Sequence, residues 1–115
     1  MSRGPRVVGL PAMTERQLER EVKRLADQFG WERYHTHRSD FSAAGFPDET
    51  LCRPPRLIFA ELKSDLPGAR VSKNQQKWLD LLKQCPGVEV YLWRPEDLED
   101  IARILAPAGV RVHAT

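Results

Sequence analysis

The stretch "GFPDETLCRPPRLIFAELK", Gly45 to Lys63, sets Asp48 directly after a Gly-Phe-Pro turn and then places Glu61 and Lys63 on a nearly all-apolar run. Charges normally avoid such a run, because a buried ion is costly unless it is paired or holds a metal. The segment predicts a short strand over about Glu49 to Arg53 and a longer one over Leu57 to Lys63. Between them the two prolines of "RPP" suit a turn that joins neighbouring strands. Residues two apart on a strand share a face, so Glu61 and Lys63 project together while Ala60 and Leu62 point the other way. Asp48, 13 residues before Glu61, stands at the mouth of the first strand and meets that pair if the two strands are neighbours.

Outward from this centre the chain reads as helix, three strands, helix, strand, helix, an α/β order. Thr14 is placed to cap a first helix whose Leu18, Val22, Leu25 and Phe29 form one apolar stripe, ending at Gly30. Trp31 to His37 predicts a strand, and "SDFSAAGFPD" a loop of small and turn-forming residues. Ser72 caps a second helix with Trp78, Leu79, Leu81 and Leu82 on its buried side. "VEVYLWRP" predicts a buried strand through Val88, Val90, Leu92 and Trp93. Pro95 then opens a last helix with acidic residues in its first turn, as the helix dipole favours. Residues 1–13, with two prolines and two glycines, predict a flexible N-terminal arm, and 14–115 form one domain.

A chain of 115 residues, 41% hydrophobic and 30% charged, is sized for one compact core. Its 18 Lys and Arg against 16 Asp and Glu leave a net charge of +2, so affinity for nucleic acid must come from local clustering. Cys52 and Cys85 lie 33 residues apart without a Cys-x-x-Cys spacing, which argues against a zinc knuckle and a disulfide framework. No window approaches the ~18 apolar residues of a membrane span, and the expected location is the cytoplasm.

Two carboxylates and an amine converging at a sheet end suit metal-assisted phosphodiester hydrolysis. Asp48 and Glu61 offer the hard oxygen ligands that Mg²⁺ or Mn²⁺ prefers, and the Leu62 backbone carbonyl could add another. Lys63 would orient the attacking water or stabilise the transition state. A turn aspartate and a surface ion pair would explain the same residues without chemistry. His35 and His37 share a strand face and, with Arg38, are candidates to line a DNA-facing cleft, or are structural histidines. Arg33, Arg38, Arg53, Arg56, Arg70, Lys73 and Lys77 would form a phosphate-binding rim if they converge around Lys63. Otherwise they are solvated surface.

The set "GFPD" (Gly45 to Asp48), "AELK" (Ala60 to Lys63) and "NQQKWL" (Asn74 to Leu79), followed by "VEVYLWRPEDL", resembles a standalone VRR-NUC domain of the PD-(D/E)XK nuclease superfamily. The likeness is to the small versions found in bacteriophages and prophages, and it covers about residues 14 to 105. It implies a central mixed four-stranded sheet flanked by helices and a Mg²⁺- or Mn²⁺-dependent endonuclease. The implied substrate is branched DNA such as a four-way Holliday junction, cut by a homodimer in a bacterial or phage-infected cell. The family's metal-binding acids fall on Asp48 and Glu61, its lysine on Lys63 and the glutamine of its motif helix on Gln75, with Gln76 its neighbour. Glu15 on the first helix is the candidate for a further metal ligand, with Glu19 the alternative. DNA contacts are expected from His35, Arg38, Arg53, Arg70, Lys73 and Lys77. One departure stands out: the position after the family's Pro-Asp is usually apolar, and here it is Glu49. A charge there should loosen the strand or sit at a rim near the metal. The rival functions are a non-catalytic nucleic-acid-binding module of the same fold and a nicking or restriction-type nuclease.

Overall fold

The computed structural model describes residues 13–37 and 43–112. Arg38 and the expected N-terminal arm, apart from Met13, lie outside the described residues. Met13 itself packs against the core, and its carbonyl accepts a hydrogen bond from the Asp65 N–H at 3.3 Å.

Helix α1 spans Glu15–Gln28 and starts as its sequence requires: the Thr14 hydroxyl accepts from the Gln17 N–H, and the Gln17 side chain accepts from the Thr14 N–H. Its Leu18, Val22, Leu25 and Ala26 are buried. Strand β1, Glu32–His35, is shorter than the expected Trp31 to His37. β2 (Glu49–Arg53) and β3 (Arg56–Leu62) form the expected hairpin. Helix α2, Lys73–Lys83, opens on Ser72 with a second reciprocal cap. β4 is Glu89–Trp93, and a 3₁₀ turn at Pro95–Asp97 leads into α3, Leu98–Leu105.

The four strands form one mixed sheet in the order β1-β2-β3-β4, antiparallel except for the parallel β3–β4 pair. The register places His35 opposite Glu49, Glu49 opposite Ala60, and Ala60 opposite Tyr91. By strand alternation one face therefore carries Arg33, His35, Glu49, Leu51, Ile58, Ala60, Leu62 and Trp93. Its apolar members join Leu18, Val22 and Leu25 of α1 and Ile101 and Leu105 of α3 in the core. Glu61 and Phe59 point to the opposite face, that of α2, where the Phe46 ring meets Phe59 and Trp78 edge-on at 5.9 and 5.0 Å.

This second face is more thinly covered than the sequence suggests. Of the four residues expected to be buried on α2, Leu79 is; Trp78 and Leu82 are half-buried, and Leu81 is 47% exposed. The expected buried strand at β4 is likewise half-exposed apart from Trp93, with Leu92 39% exposed. Lateral position explains this: among the described residues β4 is the edge of the sheet, and α2 covers that face without a second helix beside it.

The hairpin end is tied to the helix ends. Trp31 Nε1 donates to the Leu105 carbonyl at 2.8 Å, Arg53 donates to the carbonyls of Phe29 and Leu105, and Arg56 donates to that of Ile104. Both guanidinium groups lie against the Trp31 ring, 4.5 and 4.9 Å from its centre. These cations satisfy carbonyls that the ends of α1 and α3 leave without intrahelical partners. Among the described residues no helix is long and apolar enough to cross a membrane.

Candidate metal centre and cleft

Asp48 is delivered by a loop seated on the start of α2. Gly45 has φ +83°, and a Cβ there would come within 2.4 Å of the Asn74 carbonyl carbon and 2.6 Å of the Gln75 nitrogen, so glycine alone permits the approach. Thr36, just past the end of β1, clasps the next residues: its hydroxyl donates to the Pro47 carbonyl and its N–H to the Asp48 carbonyl, each at 2.8 Å. The carboxylate Oδ2 of Asp48 accepts from the Leu62 N–H at 2.9 Å, which binds the loop to the end of β3.

Glu61 stands next to this junction, 1% exposed. Neither of its carboxylate oxygens has a hydrogen-bond partner. The Lys63 ammonium, also buried, lies 3.5 Å from Oε2. Burial pushes the Glu61 carboxyl up to about 8, the negative charge of Asp48 adds to the rise, and Lys63 opposes it. A buried carboxylate with no donor, beside a second carboxylate, is suited to a hard cation: such an ion supplies the positive charge and the coordination that the protein withholds. Asp48, Glu61 and Lys63 are thus brought together as their spacing suggests.

Asp48 also lines an open cleft of about 330 Å³ with Glu15, Glu19, His35, His37 and Leu62. The expected Glu15, Leu62 and His35 therefore reach the same space as Asp48. Glu61 and Lys63 do not line it; they connect to it through Asp48.

Glu49 departs from both expectations for a charge at its position. It is fully buried and sits at neither a rim nor a loosened strand. Arg33 donates from Nε to its Oε1 at 2.5 Å and from Nη2 to its Oε2 at 2.9 Å. The same Nη2 reaches Glu19 Oε2 at 2.8 Å, and His35 Nδ1 lies 2.5 Å from Glu49 Oε2. Sequence reasoning missed this cluster, although one signal was available: Arg33 and His35 alternate with exposed Glu32 and Tyr34, so they share the inner face of β1.

Other candidates fall elsewhere. The side-chain oxygen of Gln75 accepts from the Ser72 N–H at 2.8 Å, so it serves as the helix cap. Arg53 is corrected from a cleft residue to a helix-end clamp, because it occupies the far end of β2 from Asp48. Arg56, paired with Glu89, and Arg33, bound into Glu49, also stay out of the expected rim. Arg70, Lys73 and Lys77 are exposed on α2 and the loop before it. No protein-family model, curated protein or solved structure matches the chain, so the chemistry of the site is judged from its own residues.

Proposed function

We propose that this chain is a Mg²⁺- or Mn²⁺-dependent endonuclease that hydrolyses DNA phosphodiesters, built on a PD-(D/E)XK fold of the VRR-NUC kind. The observation that carries the reading is the Glu61 carboxylate, buried beside Asp48 with no hydrogen-bond donor. The mixed four-stranded sheet flanked by helices is compatible with that fold.

In this reading Asp48 and Glu61 would hold the ion, with the Leu62 carbonyl as a further ligand, and Glu15, which lines the same cleft as Asp48, would be the candidate to complete the set. A divalent ion at such a site lowers the pKa of a bound water and offsets charge on the phosphate. Lys63 adds a fixed positive charge in a water-poor setting, where it stabilises the extra negative charge of the pentacovalent phosphorus. Arg70, Lys73 and Lys77 offer exposed cations to the DNA backbone. The substrate class is branched DNA, and symmetrical cutting of two strands calls for a homodimer with one site per chain. The work belongs in the cytoplasm, where that substrate is found.

The test is a gel assay on a labelled four-way junction and the matching linear duplex, with Mg²⁺, Mn²⁺ or EDTA, beside Asp48→Asn. Metal-dependent cutting of the junction, absent in the variant, is the expected result. Sequence-dependent cutting of the linear duplex would instead indicate a restriction or nicking enzyme. Junction binding without cutting would replace catalysis with a binding role. Sedimentation at micromolar concentration should show a dimer, and a strict monomer would favour nicking.

A further inference from the structure

The Glu49 cluster has no place in the metal chemistry proposed above, yet it forms part of the cleft wall. Burying an ion pair seldom stabilises a fold more than apolar packing of the same volume would. What the cluster supplies is orientation. Arg33 occupies both carboxylate oxygens of Glu49, and it supplies the counter-charge that a cation would otherwise bring. The ligand atoms of Glu19, His35 and Glu49 lie within 4.8 Å of one another, and the guanidinium bridges the two carboxylates, bonded to both oxygens of Glu49 and to Oε2 of Glu19.

The ring of His35 is constrained in turn. An ionised carboxylate only accepts hydrogen bonds, so His35 Nδ1, 2.5 Å from Glu49 Oε2, carries the hydrogen. The neutral ring then has its lone pair on Nε2. That atom lies 3.6 Å from Glu19 Oε1, too far for a direct hydrogen bond. Arg33 holds the other oxygen of Glu19, and the edge of the His37 ring, 6.0 Å away centre to centre, flanks the imidazole. Two acceptors thus face one gap in the cleft that Asp48 lines. A water seated on the cleft side of the pair, not between them, can donate one hydrogen to each through bent bonds and keep its lone pairs directed outward.

We propose that Glu49, anchored by Arg33, is a positioning residue that makes His35 Nε2 and Glu19 Oε1 a paired acceptor for the attacking water. The inference rests on the nuclease reading for the water's role. The arrangement of the ring can be tested without it.

The first measurement is nitrogen NMR of the full chain labelled at histidine, in EDTA, with the pH raised until the two ring nitrogen shifts themselves report a neutral imidazole. His35 should carry its hydrogen on Nδ1 with Nε2 bare, and Glu49→Gln should lose that preference. A hydrogen on Nε2 in the wild type would overturn the proposal whether or not the protein cuts DNA. The second is junction cleavage: Glu49→Gln should lower kcat by about 10- to 100-fold with KM unchanged, the range seen when groups that orient a site's ligands are removed. The double variant Arg33→Met with Glu49→Leu fills the same space without charge. It should recover the melting temperature and leave cleavage impaired; full cleavage by that variant would make Glu49 a packing residue and overturn the proposal. A wild type that cuts no substrate would remove the water's role, with the NMR result reporting separately on the ring.

Discussion

The two faces of the sheet each bury a glutamate, and they treat it in opposite ways. On the face of α1 and α3, Glu49 is held by both Arg33 and His35. On the face of α2, the Glu61 oxygens make no hydrogen bond of good geometry, with the Lys63 ammonium 3.5 Å from Oε2 and the Asp48 carboxylate acting on it from the other side. Burial alone therefore does not identify a reactive carboxylate. The first group has been given what desolvation removed, while the second is pushed toward its protonated form by burial and the Asp48 charge, with Lys63 opposing.

This contrast can be broken most decisively by deletion. Glu49→Ala takes from the half-buried Arg33 guanidinium the partner that holds it at two points, leaving it Glu19, and should lower unfolding free energy by about 1–3 kcal/mol. Glu61→Gln should not destabilise the metal-free protein; chemical denaturation in EDTA compares them, and equal losses would erase the distinction. Next in size is the response to metal. Mn²⁺ at a hundredfold over its Kd should stabilise the wild type by about 2.7 kcal/mol. Thermal unfolding should show that gain retained in Glu49→Gln and absent in Asp48→Asn.

The pH dependence sharpens the contrast further. The Glu61 carboxyl is raised from 4.5 to about 8, so between those values the folded chain keeps a proton that the unfolded chain has released. Metal-free stability should therefore be full below that window and fall as pH rises through it, by at most about 1.4 kcal/mol per pH unit. Unfolding curves across the window should flatten in Glu61→Gln; an unchanged slope would assign the titration to another group. The smallest effect belongs to the thin cover of the second face. Leu81→Gln, at a position 47% exposed, should change stability by no more than about 0.5 kcal/mol in a urea titration.

Much of this arrangement was legible because it is local. Thr14 and Ser72 announce their helices through capping chemistry, and the alternation in Ala60 to Lys63 puts Glu61 and Lys63 on one face. What escaped depends on which strands are neighbours and in what register. Glu49 looked misplaced until His35 proved to be its cross-strand partner. Arg53 and Arg56 looked like rim residues because they flank the motif in sequence, but strand length carries them to the other end of the sheet. Val88, Val90, Leu92 and Trp93 suggested a buried strand, whereas among the described residues β4 has a neighbour on one side only. Hydrophobicity reports a strand's tendency to be covered, not its lateral place.

Gly45 carries a consequence for recognising related chains. Its contact with Asn74 and Gln75 joins two motifs nearly 30 residues apart in sequence, so neither can drift without the other. A chain that keeps the Pro-Asp and Glu-x-Lys pairs but has a side chain three positions before the aspartate must seat its loop differently on the helix. That single position is therefore a stricter criterion for a shared site geometry than the charged residues, which short motifs supply by chance.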